Sequence, residues 1–298
     1  MRYKILFLAV FIFSRDVAVS GSAAFLTDGK RVVRTEDRTL LVRSLEEEGK
    51  EIAVGVPSEL TGTDLSIARR TDGSMAVVGD HKAMLWNPDS GKWQPLCDAP
   101  EGSTFEDIAV DPKSGNMVFA LYSAEKEWEW KVLRPGSTEL LRVFNRRASG
   151  AAYPVFDANG VLYFAREGDV WKGRIDYAPE MNWFVLSGTR IWPLGEHETS
   201  DANNSGVGAQ GIAPMTTHLL INRSRMGGSG WGRLVRVPNA DAYEGKLPLR
   251  WEELDDTEGG GVSLAISPDG NRAAVYISVA KRWFVLEKPE GELVPLSR

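Results

Sequence analysis

Apolar residues along the chain fall in short alternating runs, separated by clusters of Gly, Pro, Asp, Asn and Ser. Alternation with a period of two marks strands that bury one face, and the breaks carry turn chemistry. No helical period extends beyond about ten residues; the nearest rival is a charged stretch at 45–51. Five segments share one form, in which an alternating run leads through an Asp- and Gly-containing turn into a second apolar run. They are SAAFLTDGKRVV (22–33), SIARRTDGSMAVV (66–78), IAVDPKSGNMVFA (108–120), YPVFDANGVLYFA (153–165) and LAISPDGNRAAVY (264–276). Their turn glycines, Gly29, Gly73, Gly115, Gly160 and Gly270, are spaced by 44, 42, 45 and 110 residues. The last interval holds two units, and GIAPMTTHLLINR (211–223) supplies the missing copy without its Asp-Gly turn.

Each unit continues into two further strand-like runs, as in KAMLWNP (82–88) and KWQPLC (92–97). Six units of four strands predict an all-β fold, a six-bladed β-propeller of four-stranded antiparallel blades. The expected blades are 22–56, 65–97, 105–144, 151–195, 211–254 and 261–297, forming one domain over 22–298. A lone four-stranded sheet exposes two apolar faces and two unpaired edges, and stacking such sheets in a closed ring buries the faces. The first and last units each own four runs, so closure needs no strand borrowed from elsewhere. The N-terminus begins with basic Arg2 and Lys4 and a nine-residue apolar run at 5–13. That run is too short to span a bilayer, which takes about 20 residues. It has the length of a signal-peptide core, so residues 1–21 are expected to be a signal peptide or an N-terminal anchor; a buried first strand is the alternative.

Residues 264–277, LAISPDGNRAAVYI, carry Ser267-Pro268-Asp269-Gly270 between two apolar runs. This segment resembles the WD40-like repeat of the TolB family. Thr71-Asp72-Gly73 and Thr27-Asp28-Gly29 match it in part, and 111–115 and 157–160 are expanded variants. The resemblance implies a six-bladed ring. Its motif is architectural, so it carries fold and not function. TolB has an additional N-terminal domain, for which this sequence is expected to leave no room.

Composition narrows the function classes. Thirty-five Lys and Arg against 41 Asp and Glu give a net charge of −6, which disfavours nucleic acid as a partner. The single cysteine, Cys97, excludes a disulfide framework and a cysteine-based metal site, and reads as a half-buried structural thiol. No hydrolase elbow, zinc-protease helix, phosphate loop or dinucleotide fingerprint occurs, so no cofactor is expected. His81, His197 and His218 sit in separate units and read as loop and strand-end histidines. Asp201-x-Asn203-x-Ser205-Gly206 copies half of a calcium loop, but position twelve falls on Ile212, so no metal is expected there. Trp128 and Trp130 share a strand face, and the tryptophans read as core filler between blades rather than a sugar platform.

The loops between units carry Glu59, Asp64, Asp98, Glu101, Glu196, Glu198, Asp201, Asp255, Asp256 and Glu258, opposed only by Arg146 and Arg147. One rim is therefore expected to be acidic, with Glu101, Glu196, His197, Glu198, Asp201, Asp255, Asp256 and Glu258 as partner-binding candidates. The loop at 196–210 is the longest of these. Two functions follow. The first is a non-catalytic, exported scaffold, periplasmic or secreted and monomeric, that binds a protein, peptide or envelope component of basic character. The second is a hydrolase or lyase acting on a glycan or ester, which needs carboxylates facing each other across the central channel.

Overall fold

The computed structural model describes residues 22–47, 51–62, 64–123, 125, 128–144, 151–166, 168–192, 207–225, 232–240, 252–253, 262–278 and 280–296. The expected N-terminal signal or anchor segment lies outside them. The described residues form 24 strands in six consecutive meanders. The first holds β1 (Ala23–Phe25), β2 (Arg31–Glu36), β3 (Thr39–Ser44) and β4 (Ile52–Gly55). The second holds β5 (Ser66–Arg69), β6 (Met75–Val78), β7 (Lys82–Trp86) and β8 (Trp93–Asp98). The third runs through β9 (Ser103–Val110), β10 (Met117–Ser123), β11 (Trp128–Leu133) and β12 (Leu140–Phe144). The fourth runs through β13 (Ala151–Phe156), β14 (Leu162–Arg166), β15 (Asp169–Ala178) and β16 (Trp183–Trp192). The fifth comprises β17 (Val207–Pro214), β18 (His218–Arg225), β19 (Gly232–Pro238) and β20 (Glu252–Glu253). The sixth comprises β21 (Val262–Ile266), β22 (Ala273–Ile277), β23 (Arg282–Leu286) and β24 (Val294–Pro295).

Within every meander neighbouring strands pair antiparallel, in a propeller arrangement. The first strands β1, β5, β9, β13, β17 and β21 neighbour one another in a closed circuit around a central channel. The expectation of six separate sheets requires one correction. Four meanders stand alone, but the third and fourth share an eight-stranded sheet through a parallel pairing of β12 with β16. The cause is length: β15 and β16 have ten residues each, twice β14, so their hairpin overshoots and reaches β12. There Val143 and Phe144 pair with Phe184 and Val185, and Phe144 stacks on Trp183 at 5.6 Å.

The Asp-Gly turns are local solutions to reversing the chain. Asp28 Oδ1 accepts the N–H groups of Lys30 and Arg31 at 2.8 and 2.9 Å, and Asp157 Oδ1 accepts those of Asn159 and Val161 at 2.8 Å. Gly73 and Gly270 take φ of 87° and 73°, left-handed values that glycine reaches without strain. The core lies between sheets. Ala24, Leu26, Ile67 and Met75 pack the first meander on the second, and Val118, Trp130, Leu162 and Phe164 the third on the fourth. Trp86, Trp130, Trp192 and Trp283 are all buried, as filler should be. Among the described residues no helix is long and apolar enough to cross a membrane.

Ring closure uses side chains rather than a shared strand. Arg34 on β2, nearly buried, donates from Nε to Glu51 Oε1 at 2.9 Å and from Nη2 to Glu51 Oε2 at 2.8 Å. The same Nη2 reaches Glu36 Oε2 at 2.7 Å, and the guanidinium lies 3.8 Å over the Tyr276 ring of β22. Trp283 Nε1 on β23 donates to Glu51 Oε1 at 2.8 Å. Burial opposes both charges. The mutual bonds overcome it, holding Glu51 below the usual carboxylate range and Arg34 above its ordinary value. Around this cluster Phe25, Val32 and Leu45 pack on Ala274, Val285 and Trp283.

Candidate functional site

The six innermost strands run parallel to one another, so their starts gather at one end of the channel and their turns at the other. The loop between meanders and the hairpin joining second and third strands share the first end. They are fastened together there. Asp80 N donates to Thr61 O at 2.8 Å, Phe105 N to Asp80 O at 2.8 Å, and Ala99 N to His81 O at 2.9 Å. At Gly79 an added Cβ would stand 2.2 Å from Thr61 O, so this close approach requires glycine.

The channel has a volume of about 620 Å³ and is lined by all six inner strands. Small residues such as Ser22, Ala23, Ala68, Ala109 and Ser263 form much of the wall. Three inner strands depart from regular pairing. Glu106 is an extra residue opposite Ala120 and Leu121, Tyr153 and Pro154 bulge between the pairs of Ala152 and Val155, and Gln210 is extra between Ala209 and Gly211. The inner pairs of the first, second and sixth meanders are regular. A bulge re-aims a side chain that would otherwise pack against the next sheet. Here Glu106, Tyr153 and Gln210 all line the channel. Tyr153 adopts φ 54°, a left-handed value unusual for a bulky residue.

Beside Glu106, Asp107 is sunk into the wall. Its Oδ1 accepts Ser66 Oγ–H at 2.5 Å and the N–H of Ile108 at 2.8 Å, while Oδ2 has no hydrogen bond among the described residues. Burial pushes its pKa up to about 6, against those two bonds and with help from the Glu106 charge. Burial, followed by the charges of Asp107 and Glu106, pushes the Tyr153 hydroxyl up to about 12. Deeper along β5, Arg69 has a buried Nη1 without a hydrogen bond among the described residues, and burial lowers its pKa.

A raised carboxyl pKa destabilises the folded state at neutral pH, because folding then binds the proton more tightly than the unfolded chain. Stability should therefore fall as pH rises from about 4 to about 6. Asp107→Asn should remove that dependence and raise stability at pH 7.5 by about 1–2 kcal/mol, allowing for partial solvent exposure. Denaturant midpoints of both proteins across pH 4–8 measure it; a less stable variant at pH 7.5 would contradict the assignment.

Of the rim residues singled out in the sequence, Glu101 is exposed in the turn before β9. Glu196, His197, Glu198, Asp201, Asp255, Asp256 and Glu258 lie outside the described residues, as does the half calcium loop. Asp64 lines the channel mouth, and Asp98 lies 3.6 Å from Lys82 Nζ. The two described histidines, His81 and His218, do not converge. His81 Nδ1 lies 3.2 Å from Ser103 O on the loop-bearing face, and His218 opens β18 beside Thr217 and Glu290 at the opposite end. Burial pushes the Cys97 thiol up to about 12, which leaves it unreactive at neutral pH. Among the described residues no group of three or more His, Cys, Asp or Glu could hold a metal ion. Asp107 escaped sequence reasoning. Its signal was a pair of adjacent acids, Glu106-Asp107, inside the apolar strand FEDIAV.

No family model and no curated protein sequence matches the chain. Solved structures do resemble it. A calcium-binding protein, regucalcin from Agrobacterium tumefaciens, is similar at 16% identity and TM-score 0.58, over 87% of this chain and 82% of that one. TolB from Acinetobacter baumannii is similar at 13% identity and TM-score 0.58, over 93% of this chain and 64% of TolB. A luciferin-regenerating enzyme is similar at 12% identity and TM-score 0.60, over 94% of this chain and 89% of that one. At such identities the likeness establishes a TolB-like propeller fold and nothing about ligand or reaction.

Proposed function

We propose that this chain is an exported, non-catalytic binding propeller whose loop-bearing face docks a protein, peptide or envelope component of basic character. The joined sheet counts as two blades fused at their outer strands, giving six over 22–298, and residues 1–21 serve as signal peptide or anchor. The observation that carries this reading is the construction of the loop-bearing face. The hairpin at 79–82 is tied by backbone hydrogen bonds to the loops on either side, through Thr61 and through Ala99 and Phe105, giving a rigid base beside an acidic channel mouth with Asp64, Glu106 and Asp107. Rigid loops lose little entropy on binding. Glu101 and, from the loops outside the described residues, Glu196, His197, Glu198, Asp201, Asp255, Asp256 and Glu258 are the proposed partner contacts.

The test uses the full chain, with partners captured from the host's envelope fraction and association then measured against salt. Association should slow as ionic strength rises. The triple variant Asp255→Asn, Asp256→Asn, Glu258→Gln should slow it several-fold at low salt without unfolding the ring. Unchanged association would defeat the reading. One observation favours a second reading, a hydrolase or lyase acting on a glycan or ester: Asp107, with its raised proton affinity, sits beside Tyr153 in the channel. Turnover of a uronide or ester panel, abolished by Asp107→Asn, would establish it instead.

A further inference from the structure

The six inner strands end on Phe25, Arg69, Val110, Phe156, Pro214 and Ile266, each the final paired position before its turn. Five of the six are apolar. Phe25, Val110, Phe156 and Ile266 join the apolar clusters that their meanders share with the preceding ones. Arg69 places a charge at the same station, and it lines the channel with those four. Its guanidinium makes no hydrogen bond or ion pair among the described residues, and Nη1 is sealed from solvent. Burial lowers its pKa, against the charge of Asp269. The turn aspartates do not answer it. Asp28, Asp72, Asp111, Asp157 and Asp269 each accept N–H groups of their own turns, and Asp72 pairs with Arg70 at 3.0 Å. A partly buried cation without a partner costs stability where an apolar side chain would have packed. One exception in six equivalent positions therefore points to a ligand rather than to the fold.

The chemistry of that ligand follows from the donors. A guanidinium offers a planar fork of N–H groups that fits a carboxylate through two parallel bonds. Nε and Nη2 are not sealed as Nη1 is, so this edge is open to the channel. The Thr27 and Thr71 hydroxyls line the same end from neighbouring turns and make no hydrogen bond among the described residues. Val110, Phe156 and Ile266 supply apolar wall beside them. We propose that the turn end of the channel binds a monocarboxylate with an apolar body, its carboxylate held by the Arg69 fork. One negative charge matches one guanidinium, whereas a phosphate dianion would keep a second charge among the turn aspartates. The carboxylate belongs either to a free acid or to the C-terminus of a peptide, and the channel of about 620 Å³ admits both. This end lies opposite the loop-bearing face, so failure of the docking reading would leave the site untouched.

Calorimetry on the full chain at pH 7.5 tests the site with two probes, 4-phenylbutyrate and N-acetyl-Gly-Leu with a free C-terminus. At least one should bind saturably. Binding of 4-phenylbutyrate identifies a free acid as sufficient, and binding of the peptide alone identifies a presented C-terminus. The amide of the bound probe, measured on the unaltered protein, should bind about tenfold more weakly or worse, because it lacks the charge. Arg69→Leu should weaken the acid by about tenfold or more, and Arg69→Lys by about threefold or more, since lysine keeps the charge without the fork. Leucine restores the apolar residue that the other meanders carry at this position, so Arg69→Leu should melt no lower than the parent and its lost binding cannot come from misfolding. Inorganic phosphate at the same concentration should not displace the acid. If neither probe binds, if the amide or Arg69→Leu binds like the parent pairing, or if phosphate displaces the acid, the proposal is overturned.

Discussion

Trp283→Ala should lower the stability of the ring by about 3–5 kcal/mol, the usual range for removing a buried tryptophan. Trp283 is only 1% exposed and fills the seam between the first and last meanders against Phe25, Val32 and Leu45. Truncation leaves a cavity at the one place where the ring is closed by side chains alone. It also removes the indole N–H that Glu51 accepts. Trp283→Phe separates the two effects: it keeps most of the apolar volume and loses the donor, and should cost about 1–2 kcal/mol. Urea midpoints give both values. A Trp283→Ala protein as stable as the parent would mean the seam does not hold the ring together.

Arg34→Met should destabilise by about 2–4 kcal/mol, somewhat below the range for a fully buried pair because the Glu51 side chain keeps 20% exposure. The methionine fills much of the space, so the loss comes from stranding Glu51 in the seam without its cation. The pH dependence carries the signature. Glu51 has a depressed pKa in the parent, so its contribution is complete above the ordinary carboxylate value and fades as pH falls through the depressed one. In the variant the stranded carboxylate is relieved by protonation. The gap between the two proteins should therefore narrow from pH 7 to pH 4, and a gap independent of pH would exclude the ion pair as its source.

The sequence was most legible where structure is local. An aspartate accepting N–H groups two to four residues ahead, followed by a left-handed glycine, is written within five residues, so the turns at Asp28, Asp157 and Asp269 could be placed from sequence alone. The ownership of four strands by the first and last meanders was legible for the same reason. The seam was not. Glu51 lies at the end of the charged stretch that most resembled a helix, yet its partners are Arg34 and, 232 residues away, Trp283. Bulges were hidden as well, because an extra residue is defined only against its partner strand: nothing in FEDIAV says that Glu106 has no opposite number. His81 stands in a hairpin, His218 opens a strand and Cys97 is half-buried, as read from the sequence, since loop and strand-end positions follow from the turn pattern.

The overlong hairpin of β15 and β16 changes how the molecule meets other chains. Sheet edges are templates for intermolecular pairing. Where β12 and β16 pair, Val143 and Phe144 occupy the open edge at Phe184 and Val185, and Phe144 stacks on Trp183 beside the join. Among the described residues, strands β4, β8, β20 and β24 pair on one side only and end their sheets, two of them with exposed Ile52 and Val294. The perimeter of the ring is therefore uneven. The fused sector offers less of its edge to strand addition, while β4, β8, β20 and β24 remain the terminal strands open to it, with exposed Ile52 and Val294 on the first and last sheets.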